Sequence, residues 1–298
     1  MSIYSQIDSN KQRTWLIMAF FIAFITFVAY IFSQSSGYGW SGAGLALIIA
    51  GLSSLGSYCW SDKLILAMSG ATEIKEKDNP QLFHTVENLC IGAGLTSPKI
   101  YIVNDSAPNA FATGRDPQHA VICVTSGLLS KLDKLELEGV IAHELSHIRD
   151  YDTRLMCVVA VLVGSIAFLA DWFMRSLWWG RRNDREEEGN VRSLFLVLGI
   201  VFAILSPIIA TLIQLAISRR REFLADASGA LLTRYPEGLA SALEKISQDR
   251  EVLEAATNAT AHLYIVNPFK DKNFGAWFAG LFDTHPPINE RIKLLRNM

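Results

Sequence analysis

Apolar residues along this chain fall into two kinds of run. Four blocks, residues 15–32, 41–60, 155–174 and 194–217, are long enough and poor enough in charge to be read as bilayer spans. The fourth carries no formal charge. The second is diluted by Gly42, Gly44, Gly51, Ser53, Ser54 and Gly56, small residues that suit closely packed membrane helices. A buried core helix would need only about ten to fourteen apolar residues, and these blocks run to about eighteen and beyond. The first is too long for the apolar part of a secretion signal, and no small-residue cleavage site follows it, so a retained anchor is expected.

Between and after the blocks the pattern becomes amphipathic. In "NPQLFHTVENLCIGAGL", Asn79 is an N-cap, Pro80 the first helical position, and Leu82, Phe83, Val86 and Leu89 one apolar face, with His84 on the solvent side. "KIYIVND", "NAFATG" and "AVICVTSG" are short β-rich runs broken by Asp, Pro and Gly, which predict a small sheet of about three strands. Asp133 and Glu136 stand at capping-box spacing ahead of a helix over 134–150. Helical patterns recur at 219–233, 236–248 and 286–296.

Composition supports the membrane reading, since 50% of the residues are hydrophobic and the net charge is only −2. Nothing in that balance points to nucleic acid. Lys11 and Arg13 precede the first block while "SQSSGYG" after it is uncharged, so the positive-inside rule puts the N-terminus in the cytoplasm. The expected organisation is an N-terminal tail and transmembrane hairpin (1–61), a cytoplasmic catalytic part (62–154), a second hairpin (155–217) and a cytoplasmic helical part (218–298). The loop 175–192 is rich in arginine yet assigned outside; whether blocks three and four cross fully or form a shallow hairpin, 62–154 and 219–298 share one face. Cys59, Cys90, Cys123 and Cys157 form no CxxC pair and read as apolar fillers.

The chemistry lies in "LEGVIAHELSHIRDYDTRLM". His143 and His147 are four apart and share a helix face, Glu144 is turned about a hundred degrees from them, and Leu135, Ala142, Leu145 and Ile148 line the opposite side. Two imidazoles can hold Zn²⁺ while the intervening carboxylate serves as general base. A catalytic zinc takes three protein ligands. Asp150, Asp152 and Glu222 are candidates for the third, and Glu222 is favoured, with Asp226 on the same helical face accepting a hydrogen bond from the outer nitrogen of His143 or His147. Asn109 and Ala110 in "NAFAT" form a candidate substrate platform, an exposed edge strand against which an extended peptide can pair. His285 is a candidate oxyanion stabiliser, with Arg291 orienting it or a substrate carboxylate, and a capping role for His285 competes. His119 and His262 read as ordinary polar residues.

"NAFATG" (109–114), "HELSHIRDYD" (143–152), "RREFLADA" (220–227), "HLYIVNPF" (262–269) and "THPPINERI" (284–292) resemble the HtpX family of bacterial membrane zinc endopeptidases, relatives of the CAAX prenyl proteases. The resemblance implies one Zn²⁺ per chain on His143, His147 and Glu222, with Glu144 as catalytic base. It implies a mainly α membrane protein, four transmembrane helices with a cytoplasmic zincin-like (gluzincin) α+β catalytic domain containing a small sheet. It also implies a multi-pass protein of the bacterial plasma membrane whose site faces the cytoplasm and whose substrates are unfolded or damaged membrane proteins under stress. Two alternatives stand beside it: a CAAX-type processing protease with a defined substrate, and a non-catalytic zinc-stabilised membrane scaffold.

Overall fold

The computed structural model describes residues 3–35, 40–164, 219–257, 259–268 and 286–298, with side chains from residue 8 onward except 28–47. Two long helices, α1 (Ile3–Ser35) and α2 (Trp40–Met68), lead into a mixed α+β body. There follow β1 (Thr72–Glu73), α3 (Pro80–Ala93), β2 (Lys99–Val103), β3 (Ala110–Thr113), β4 (Val121–Thr125), α4 (Ser126–Lys131) and α5 (Lys134–Arg149). Helical backbone over 152–164 is α6; α7 (Arg219–Thr233), α8 (Pro236–Gln248) and α9 (Ile288–Arg296) complete the order. The second helix continues eight residues past the expected end of the second block. No proline or glycine interrupts residues 61–68, and the turn comes only at Gly70, in the left-handed region at φ 61°.

The described strands form a four-stranded mixed sheet in the order β1-β2-β4-β3, with β2 and β4 parallel and both outer pairs antiparallel. The fourth strand, β1, escapes sequence reading because two exposed residues cannot show alternation. Both faces of β4 are covered. Ile122 and Val124 meet a core built with α3, α5 and α8, while Val121 and Cys123 meet Ile65, Phe111, Met156 and Tyr264. A strand buried on both faces reads as a continuous apolar run, which is why "AVICVT" lacks polar alternation.

The sheet and the flanking helices α3, α7 and α8 enclose α5. Its residues from Gly139 to Ile148 are all buried, although Leu135 at its start is exposed. Asp133 accepts from the Glu136 amide and Glu136 reaches back to the Asp133 amide, so the predicted capping box starts the helix. Neighbouring helices approach α5 at glycines. A Cβ on Gly139 would lie 2.6 Å from the Leu239 amide nitrogen on α8, and one on Gly229 of α7 would lie 3.0 Å from the His143 amide nitrogen. Gly139→Ala is therefore expected to lower stability by about 1–3 kcal/mol, read from the unfolding midpoint, because backbone must shift to admit the methyl group.

Residues 194–217, the loop 175–192, His285 and the second half of 155–174 lie outside the described residues. Among the described residues no helix is long and apolar enough to cross a membrane. Trp15, Leu16, Phe20 and Phe27 on α1, and Ile48, Ile49, Leu52 and Leu55 on α2, are exposed. The inner face of α1, with Ile17, Met18 and Phe21, packs instead on Leu155, Val158, Val159 and Leu162 of α6.

Candidate active site

A helix buried on every side normally carries apolar residues throughout, and α5 instead brings His143, Glu144 and His147 into the interior, each at most 4% exposed. The two Nε2 atoms face each other at 3.1 Å. Glu222, in the first turn of α7, places Oε2 3.8 Å from Nε2 of His143 and Oε1 3.5 Å from Nε2 of His147. One ligand atom from each of the three residues lies within 4.8 Å of the other two.

Each imidazole is aimed by a carboxylate on its far side. Nδ1 of His143 is 3.0 Å from Oδ1 of Asp226, one turn along α7 from Glu222. Nδ1 of His147 is 3.0 Å from Oδ2 of Asp152. With both Nδ1 protons given to carboxylates, both Nε2 lone pairs point at one place, and two lone pairs 3.1 Å apart need a positive centre between them. Tetrahedral ligands at about 2.0–2.1 Å from zinc sit about 3.3 Å from each other, close to the separation found here. Two imidazoles and a carboxylate are also the donor set that zinc accepts, so the residues present fit the ion. Burial lowers the pKa of His143. Burial acts on His147 in the same sense, but Asp152 and Glu222 outweigh it and raise its pKa to about 9.

The carboxylates are braced in turn. Arg291, on α9 and 0% exposed, donates from Nε to Oδ2 of Asp226 at 2.8 Å and from Nη2 to Oδ1 at 2.7 Å. A third donor, Nη1, reaches the Ile265 carbonyl at 3.0 Å. Burial alone would raise Asp226, yet the two-pronged guanidinium holds it down at about 2. On the other side Arg221 stands 3.4 Å from Oδ1 of Asp152.

Glu144 is 2% exposed, and desolvation lifts its pKa to about 7 against the opposing field of His147. Its carboxylate also receives the backbone N–H of Ala112 on β3. A carboxyl group poised near neutrality can both take and return a proton.

The structure brings His143, Glu144, His147, Glu222, Asp226 and Arg291 together. The Arg291 guanidinium is paired with Asp226, a partner that sequence reading did not name, because α9 lies beside the buried end of α7; His285, beside which it was expected, lies outside the described residues. At the substrate platform the expectation of an exposed edge also differs from what is found. The edge strand is β3, but all four of its residues are buried. The Ala110 carbonyl accepts from Ile265, the Asn109 side chain donates to the Val266 carbonyl at 2.9 Å, and the Ala112 amide serves Glu144. Asp152 is a supporting carboxylate where the sequence left it as a candidate ligand. Sequence reading missed Arg221 and Asn10 altogether, and the only signal was that "RREFLADA" opens with arginine.

Two helical histidines, a glutamate donor from a second helix and a buried carboxylic acid beside the first histidine define a metallopeptidase site. The model "Peptidase family M48" matches residues 76–298. "Protease HtpX homolog" of Dictyoglomus thermophilum is 46% identical over 297 residues, covering 100% of this chain and 95% of the relative. The protein of the same description from Tropheryma whipplei is 45% identical over 296 residues, covering 99% and 98%. The chain belongs to peptidase family M48 and groups with the HtpX proteases, as the motif resemblance implied. Among solved structures, the crystal structure of S. mikatae Ste24p aligns at TM-score 0.49 and 17% identity, over 98% of this chain and 67% of that one.

Proposed function

We propose that this chain is a membrane-embedded, zinc-dependent endopeptidase that hydrolyses unfolded or damaged membrane proteins, with its site facing the cytoplasm of a bacterial cell. The observation carrying the metal assignment is the convergence of two carboxylate-backed Nε2 atoms and the Glu222 carboxylate. Held by His143, His147 and Glu222, Zn²⁺ would supply a Lewis acid that acidifies water and polarises the scissile carbonyl. Glu144 takes the proton from the attacking water and passes it to the leaving amine, work suited to a buried carboxyl group beside the metal ligands. Asp226 and Asp152 keep the imidazole faces fixed while this happens. Bulk water is thinned around these groups, since all of them are buried and the Glu144 carboxylate is met by a backbone amide.

Membrane residence is supported by the aromatic and aliphatic side chains that α1 and α2 turn outward, an apolar surface larger than a water-facing helix pair tolerates. The role in clearing unfolded membrane proteins is supported by membership among the HtpX proteases.

The test is cleavage of an unfolded protein by detergent-solubilised full chain. A chelator is expected to abolish cleavage and stoichiometric Zn²⁺ to restore it. Glu222→Gln is expected to lower zinc content by removing the one anionic ligand. Cleavage that survives exhaustive metal removal overturns the zinc assignment.

A further inference from the structure

Asn10, on α1 and 2% exposed, reaches the support of the metal site from the far end of the chain. Its Nδ2 donates to the Asp150 carbonyl at 3.0 Å and to Oδ1 of Asp152 at 2.7 Å. Its Oδ1 accepts from Nη1 of Arg221 at 3.2 Å. The partners fix which way the amide points. A flipped amide would set its oxygen against two acceptors and its NH₂ against a guanidinium. With Oδ1 of Asp152 so held, Oδ2 is left facing Nδ1 of His147 at 3.0 Å.

The same stretch of α1 grips the corner where α5 becomes α6. Tyr151 sits there at φ 61°, a left-handed conformation that is costly for a bulky residue and needs surrounding restraint. The Lys11 ammonium lies 4.6 Å from the Tyr151 ring centroid and the Arg154 guanidinium 4.8 Å from it. That turn is what carries Asp152 back beside His147. If α1 needed only an anchor, its apolar contacts to α6 would supply one. A buried amide is stabilising only when its hydrogen bonds are all made, and here they converge on the Asp150–Asp152 corner and Arg221.

We propose that Asn10 is a positioning residue of the metal site, acting through Asp152 to aim the imidazole of His147, so that the N-terminal helix is part of the catalytic machinery. This rests on the metal-site reading above. Its mark is metal affinity, since a histidine free to turn loses the lone-pair direction that a metal requires.

The experiment measures Zn²⁺ affinity of the full chain in detergent by competition with a chromophoric chelator, together with the unfolding midpoint. The variants are Asn10→Ala, the volume-conserving Asn10→Leu, Asp152→Ala and the double variant Asn10→Ala/Asp152→Ala. Loss of an outer partner of a ligating histidine typically weakens metal binding 10- to 100-fold, and Asn10, one step further out, is expected to raise Kd by about tenfold. The double variant is expected to match Asp152→Ala alone, because both substitutions break one chain of contacts. Unchanged affinity in a folded Asn10→Ala or Asn10→Leu protein, or additive losses in the double variant, would overturn the proposal. Failure of the unmutated chain to bind Zn²⁺ would overturn the metal-site reading itself, and the two failures are therefore distinguishable.

Discussion

Glu144→Gln is expected to abolish peptide hydrolysis while leaving the metal site loaded. The amide is nearly isosteric with the carboxyl group, and its NH₂ and oxygen can still meet the surrounding dipoles, but it cannot accept a proton. Loss of a positioned general base typically costs about 10²- to 10⁴-fold in rate. The larger figure is expected here, since the same carboxyl group would also return the proton to the leaving amine. His143, His147 and Glu222 are untouched, so the zinc-to-protein ratio should stay at that of the unmutated chain. The buried, raised carboxyl also makes the variant no less stable, because a group held near neutrality by desolvation gains little from being ionised. Cleavage of an unfolded protein and metal content, measured on the same preparation, decide the matter. Retained turnover would exclude Glu144 as the base, and lost metal would show that the substitution had disturbed the site rather than the chemistry.

The parts of the site that follow local rules were legible in the sequence. A four-residue spacing puts His143 and His147 on one helix face whatever surrounds them, and Glu222 and Asp226 are related in the same way. The Asn79 cap and the Asp133–Glu136 box also act within one turn, and both occur as read. What was illegible depends on non-local pairing. Asp152 was indistinguishable from a ligand because its position hangs on a left-handed turn at Tyr151, and tyrosine gives no warning of one. Asn10 and Arg221 are polar residues beside apolar blocks, where charge reads as topology; only folding shows that they meet at Asp152. At β3 the short β-rich run is visible, but the neighbours that occupy its outer edge come from residues 265–266 and from α5.

Arg291→Met is expected to unfold or strip the site, although Arg291 ligates nothing. Its guanidinium is wholly buried and lies against two acids, Asp226 through two short hydrogen bonds and Glu222 at 3.5 Å. Removing the cation leaves Asp226 charged in a site with no access to water, and breaking one side of a buried ion pair typically costs about 3–5 kcal/mol. Asp226 would then either take up a proton or turn away from His143, and both outcomes loosen the imidazole that it aims. Arg291→Lys should recover little, because a single ammonium cannot make the paired Nε and Nη2 contacts that match the carboxylate. Arg291→Met combined with Asp226→Asn should regain much of the unfolding midpoint, since the stranded charge is gone while the amide oxygen can still accept from Nδ1 of His143. Metal affinity should recover less than stability, because a neutral acceptor polarises the imidazole more weakly than a carboxylate. Unfolding midpoints and zinc content of the three variants separate these effects. A single Arg291→Met protein as stable and as well loaded as the unmutated chain would mean that α9 merely covers the site; the predicted split instead makes the last helix of the chain, through Arg291, the counterpart on His143 of what Asp152 and its partners do for His147.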